Sequence, residues 1–176
     1  MVFMIEGRDI KLPKRQLTIT RIKDAAKKIF FKKRFVGTTM DKISAEAGLA
    51  KGTLYIYFKN KDDLHISLML PVLDELGKRL LEFSEKVKQN QFSDKQTFAQ
   101  EFYNVYYANY LYDPEGMRII QAFQLGNHFS AMPALTLKKI NRPAADNYKI
   151  TRQFLSQVMK EGLIKTMNPV KLTDIL

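Results

Sequence analysis

The chain has no cysteine among its 176 residues, which excludes disulfides and thiolate metal sites and leaves nothing to suggest an oxidising compartment. No run approaches the ~18 consecutive apolar residues of a membrane-spanning helix. The first fifteen residues, MVFMIEGRDIKLPKR, are interrupted by acidic side chains and hold neither an apolar signal core nor a small-residue cleavage site. A cytoplasmic protein with no membrane partner is therefore expected. Histidine is scarce, and neither His65 nor His128 has a second histidine or a carboxylate at ligand spacing, so packing or surface roles are expected and no metal site. Also missing are a glycine-rich phosphate loop, a G-x-S-x-G elbow and an H-E-x-x-H pair, which leaves only a scattered carboxylate arrangement for catalysis. Neither an enzyme nor a cofactor is expected.

Acidic residues are the minority, 18 against 29 lysines and arginines, and the formal net charge is +11. The excess is uneven. Residues 1–64 carry 15 basic and 7 acidic side chains, a net of +8, whereas residues 65–176 carry 14 and 11, a net of +3. Clustered Lys and Arg are rewarded by counterion release on nucleic acid. A hydrophobic content of 45% argues against disorder, and the length suits one compact unit or a small domain followed by a medium one.

The densest signal lies beside the positive charge, at Thr38 to Leu64, TTMDKISAEAGLAKGTLYIYFKNKDDL. Thr38 reads as the cap of a short helix, with Asp41 near its positive end. Met40, Ile43 and Ala47 form a narrow apolar stripe, and Gly48 supplies the left-handed residue that stops the helix. A second short helix, Lys51 to Phe58, comes after a sharp turn. At ~100° per residue, Leu54 and Phe58 share its inner side and Gly52, Thr53 and Ile56 the outer one. Tyr55 and Tyr57 lie on the flanks, placed to donate to phosphates, and Lys51 at the helix start can reach a phosphate or a guanine edge. The outer face carries no acidic residue. Gly52 has no packing role in a helix interior, where it costs ~1 kcal/mol relative to Ala, and close approach to DNA would explain it. The alternative is an ordinary corner between two helices with these side chains solvated.

Every long segment elsewhere has helical period, so the fold is expected to be all-α. A first helix is expected from about Pro13 to Arg34, with Ile22, Ala25, Ala26, Ile29 and Phe30 on one stripe and lysines outside it. Asn60 caps a fourth helix running toward Gln89, kinked at Pro71. Ser93 with Gln96 marks the next start, for a helix crowded by Phe98, Phe102, Tyr103, Tyr106, Tyr107, Tyr110 and Tyr112 and expected to be central. Asp113-Pro114-Glu115 opens another, through Phe123. Pro133 and Pro143 punctuate the next segments, and a helix from about Ala144 ends near Gly162. After Asn168-Pro169, residues 170–176 read as a helix beginning. The aromatic helix has two readings: a packed core, or a pocket lined by Phe102, Tyr106, Tyr110, Phe123 and Met159 in which tyrosine hydroxyls orient a mainly apolar molecule.

From Ile22 to Leu64 the chain resembles the DNA-binding head of the tetracycline-repressor (TetR) family of bacterial transcription regulators. The resemblance is carried by Phe35-x-Gly37-Thr38-Thr39, by Ile43-x-x-x-Ala47-Gly48-Leu49, by Gly52-Thr53-Leu54-Tyr55-x-Tyr57-Phe58 and by Lys61-x-x-Leu64. It implies a three-helix helix-turn-helix head over residues 1–60 and a helical ligand-binding and dimerisation body over 61–176. It further implies that Thr38, Thr39 and Lys61 contact phosphates, that Lys51, Gly52 and Thr53 lie nearest the bases, and that Tyr55 and Tyr57 clamp the backbone. The chain departs from the pattern at Ala50, which stands where many members carry a Ser or Thr cap. The family usually continues past a segment such as NPVKLTDIL with a complete final helix, so a body truncated at its C-terminal helix is expected.

The expected function is a ligand-responsive repressor that binds a palindromic double-stranded DNA operator as a homodimer and is released by a small hydrophobic or amphipathic effector. The alternative is a DNA-bound scaffold or nucleoid-associated protein whose body binds a protein partner without a small-molecule switch. An enclosed apolar pocket between the fourth helix and the aromatic helix would favour the first.

Overall fold

The computed structural model describes residues 4–5, 8–9, 13–92, 94–125, 134–165 and 168. Seven helices are present among them: α1 (Lys14–Gly37), α2 (Met40–Ala47), α3 (Lys51–Tyr57), α4 (Lys61–Lys88), α5 (Lys95–Tyr112), α6 (Pro114–Leu125) and α7 (Ala134–Lys160). The fold is all-α apart from a two-residue antiparallel ladder, β1 (Met4–Ile5) with β2 (Arg8–Asp9). Two compact units divide the chain, Met1–His65 and Ile66–Leu176. The segments containing Ser93, His128, Pro133 and 170–176 lie outside the described residues.

In the first unit, Ile22, Ala25, Ala26 and Phe30 turn one stripe of α1 inward, and Met40, Ile43, Ala47, Leu54, Phe58 and Leu64 are buried with them. Helix α1 does not run smoothly to its end. Arg34 takes a left-handed φ of 55° with ψ 175°, one more turn comes after it, and Thr38 closes it as C-cap. A φ in this range is uncommon for a residue with a Cβ. Two lysine amines hold the carbonyls after the break: Lys61 Nζ donates to Phe35 O at 2.9 Å and Lys42 Nζ to Gly37 O at 2.7 Å. The His65 ring is buried edge-on against Phe30 and Phe35, at centroid distances of 4.7 and 4.9 Å.

In the second unit, Leu80, Phe83, Val87, Phe98, Val105, Phe154, Leu155 and Val158 form the core, where α4, α5 and α7 meet. Phe83 is its hub, with Phe92, Phe98, Phe102 and Phe154 at 5.2–5.6 Å between ring centroids. Helix α4 is capped by Asn60, whose Oδ1 accepts from Asp63 N at 2.8 Å, and it continues through Pro71.

Three expectations about elements need correction. The cap of α5 is Asp94, whose Oδ1 accepts from Gln96 N and Thr97 N at 2.8 Å each, in place of Ser93. Helix α7 begins at Ala134, not near Ala144, and runs through Pro143. Proline removes one helical hydrogen bond, but Ile140 on one side and Asn147, Thr151, Phe154 and Val158 on the other are buried along one stripe, and that burial holds both halves in one helix. Helix α5 is not enclosed all round. Phe98, Val105 and Asn109 face inward, whereas Tyr103, Tyr107, Tyr110 and Tyr112 are exposed, because a hydrated phenol makes an outward-facing tyrosine inexpensive.

Candidate nucleic-acid interface and body cavity

The turn between α2 and α3 aims the outer face of α3. Gly48 takes φ 59° and ψ 40°, Leu49 N donates to Ser44 O and Gly48 N to Ala45 O, each at 3.0 Å, the paired bonds that end a helix on a left-handed residue. Arg21 Nη2 on α1 also reaches Gly48 O, at 3.4 Å. Helix α3 starts at Ala50 with no side-chain cap, and Thr53 N closes on Ala50 O at 2.9 Å. Leu54 and Phe58 point inward. Lys51, Gly52, Tyr55 and Ile56 are exposed, and Thr53 and Tyr57 are half-buried. A Cβ built on Gly52 would meet nothing within 4 Å, so no contact inside the protein requires glycine there.

Not every expected contact residue lies on this surface. Thr39, not Thr38, caps α2, its Oγ1 accepting from Lys42 N at 3.3 Å. Thr38 is buried, and its hydroxyl donates to Arg34 O at 2.6 Å, so it closes the broken end of α1 and is not placed to meet a phosphate. The two adjacent threonines can each cap, and the unexpected turn after Arg34 decides which one does. Lys51 is exposed but engaged, with Nζ 2.6 Å from Asp41 Oδ1, and this hydrogen-bonded carboxylate raises its pKa. Lys61 turns its amine to Phe35 O and over the Phe35 ring, 4.1 Å from the centroid, and burial lowers its pKa against the opposing pull of Asp62. Ile56, 78% exposed beside Gly52 and Thr53, is the large apolar side chain of the outer face. Its place on that face was legible from helical spacing.

In the second unit, α4, α5, α6 and α7 line a partly open cavity of about 210 Å³, with the exposed Gln121 and Tyr148 among its lining residues. Val72, Leu76, Leu80 and Ile120 supply apolar wall, and Tyr106, Asn109, Asn147 and Thr151 supply polar groups. Of the five residues expected to line a pocket, Tyr106 does so. Phe102 and Met159 pack on the core and Tyr110 is exposed, while the side chain of Phe123 lies outside the described residues. The Tyr106 and Thr151 side chains hydrogen-bond, and burial raises the Tyr106 pKa, so its hydroxyl stays protonated at neutral pH. Thr151 Oγ1 donates to Asn147 O at 2.9 Å, and Asn147 Nδ2 to Leu73 O at 2.9 Å. Asn109 and Asn147 are marked in the sequence as amides on mainly apolar helical stripes, Phe98–Phe102–Val105–Asn109 and Ile140–Asn147–Thr151–Phe154.

Residues 22–68 match the family model for bacterial regulatory proteins of the tetR family. The fatty acid metabolism regulator protein of Bacillus subtilis (strain 168) is 35% identical over 69 residues, which are 39% of this chain and 34% of that protein. The match thus covers about a third of the length of that protein and of another Bacillus subtilis regulator, and less of a third relative. Among solved structures, the TetR family transcriptional regulator PfmR from Thermus thermophilus superposes with a TM-score of 0.69 at 17% identity, over 88% of this chain and 79% of that one. The transcriptional regulator FadR from Bacillus subtilis in complex with stearoyl-CoA gives 0.55 at 24% identity, over 87% and 77%. At these identities the two structures speak for the fold: a helix-turn-helix head and a helical body.

Proposed function

We propose, from the premise that this chain belongs to the tetR family of bacterial regulatory proteins, that it is a ligand-responsive transcriptional regulator. It acts as a repressor, binding a palindromic double-stranded DNA operator as a homodimer in the cytoplasm and leaving it when a small hydrophobic or amphipathic effector occupies the body. Residues 1–60 form the reading head and 61–176 the regulatory body. Gly52 and Thr53 meet the bases, with Lys51 beside them, and Thr39, Tyr55 and Tyr57 hold phosphates.

The observation that carries the reading is the outer face of α3. It is free of acidic side chains and bears a glycine that no internal contact explains. The cavity among α4, α5, α6 and α7 favours a small-molecule switch over a scaffold. Helix α4 starts at Lys61, directly after the head in sequence, and carries Val72, Leu73, Leu76 and Leu80 along the cavity, so a ligand with different affinity for two placements of α4 shifts the population that can dock. Two heads of a dimer must meet half-sites about 34–36 Å apart.

Selection from random duplexes yields the preferred operator, and titration by fluorescence anisotropy measures affinity. Gly52→Ala should raise the thermal midpoint, since the helix gains up to ~1 kcal/mol, and yet weaken operator binding at least tenfold. Thr53→Ala should change which sequences are selected. Undiminished operator affinity in both variants would show that α3 is not the reading helix.

A further inference from the structure

We infer that the body cavity takes a compact, uncharged ligand that donates a hydrogen bond to Asn109. The inference deepens the ligand-responsive reading above and rests on it only for regulation; the binding itself is separable.

Size comes first. A cavity of about 210 Å³ falls short of the roughly 300–1,000 Å³ of pockets that hold drug-sized molecules. An engineered apolar cavity of about 150 Å³ admits benzene. One ring with a short substituent therefore fits within it, and a long acyl chain is too large to be held there whole.

Charge comes second. Among the described residues lining the cavity none is Asp, Glu, Lys, Arg or His. A carboxylate or phosphate placed there would lose its water and find no counter-charge, a penalty that a few amides and hydroxyls do not offset. The ligand is neutral in its bound form.

The hydrogen bond comes third. Asn109 lines the cavity but is 0% exposed, and its Oδ1 has no hydrogen-bond partner among the described residues, so a donor in the cavity meets it once the side chain turns inward. Its Nδ2 donates to Met117 Sδ at 3.5 Å. A thioether accepts and cannot donate, so the Met117 contact turns the NH₂ end of the amide toward the sulfur and leaves the carbonyl end for another donor. Of the neighbouring polar groups, Asn147 Nδ2 is engaged with Leu73 O and Tyr106 with Thr151. A buried amide oxygen left unmatched is costly, and a ligand O–H or N–H that reaches it removes the cost. A site with such an acceptor rejects the isostere that has a methyl in place of the donor.

The test uses the whole chain at pH 7 with two probes of matched shape, 4-ethylphenol and 4-ethyltoluene, in isothermal titration against the wild type and Asn109→Leu. The phenol should bind the wild type at least tenfold more tightly than the hydrocarbon, and in Asn109→Leu the ratio should fall to within about twofold, chiefly through loss of phenol affinity. Equal affinities in the wild type overturn the inference whatever the variant does, and so does discrimination that survives in a folded Asn109→Leu. Displacement of bound 4-ethylphenol by stearic acid at equal concentration overturns the size and charge limits. Asn109-dependent discrimination without any change in operator affinity at saturating 4-ethylphenol upholds the site and counts against the regulatory reading alone.

Discussion

Lys51 illustrates how one neighbour redirects a side chain. Its place at the start of α3 suits a phosphate or a guanine edge, but Asp41 on α2 sits 2.6 Å from its amine. Both groups are exposed, so the pair adds little to stability. Its weight falls on DNA instead, because the carboxylate both occupies the ammonium and repels phosphate. Asp41→Asn should leave the unfolding midpoint nearly unchanged and tighten binding to random-sequence duplex. The slope of log affinity against log salt should steepen by about 0.9, the contribution of one more neutralised phosphate on duplex DNA. An unchanged slope, measured between 50 and 200 mM salt by anisotropy (a range, about fourfold, over which such slopes are resolved), would mean that Lys51 does not face DNA.

At the level of elements, close approach of helices falls where small residues allow it, and glycine marks the contact. A Cβ on Gly77 of α4 would stand 2.7 Å from Asn147 Oδ1 of α7. That amide is fixed by its bond to Leu73 O and cannot swing aside without breaking a buried contact. Alanine in an exposed helix interior is worth up to ~1 kcal/mol over glycine, so the sign of the change at Gly77 tells which effect wins. Gly77→Ala should lower stability by about 1–3 kcal/mol in urea unfolding, the opposite of Gly52→Ala. The pair also shows how far sequence reasoning reaches. Both glycines sit in helical patterns, and only tertiary neighbours separate a packing glycine from an outward one. Periodicity placed Leu54 and Phe58 inside and Ile56 outside correctly because that division depends on α3 alone. It misjudged α5, where tyrosine suits core and surface alike, and α7, where the local penalty of Pro143 is outweighed by burial on both sides of it. The cavity was the least legible feature. Its walls come from four helices, and its polar groups are scattered one or two at a time along mainly apolar stripes.

For the molecule as a whole, pH acts through two opposing effects, and one tyrosine separates them. With a net charge of +11 and an isoelectric point near 9.7, the folded chain repels itself at neutral pH and is relieved as pH rises toward that point. Tyr106 works the other way. Burial raises its folded pKa above the 10.0 of an exposed tyrosine, with Thr151 opposing the shift and Tyr148 adding to it. Below pH 10 the phenol is neutral whether folded or unfolded, and the contribution is fully present. Above pH 10 the unfolded chain releases the proton while the folded one retains it, so the unfolded state is favoured by up to about 1.4 kcal/mol per pH unit until the folded pKa is passed. Raw stability therefore mixes relief of repulsion with this loss, and a wild-type profile alone cannot apportion them. Tyr106→Phe removes the titrating hydroxyl and leaves the net charge at neutral pH unchanged. The difference in unfolding free energy between wild type and Tyr106→Phe, followed by urea denaturation from pH 8 to 11.5 (a range chosen to bracket the ordinary tyrosine pKa of about 10), should be flat below pH 10 and should then move against the wild type. A difference that stays flat throughout would place Tyr106 in contact with water and remove it from the wall of the cavity.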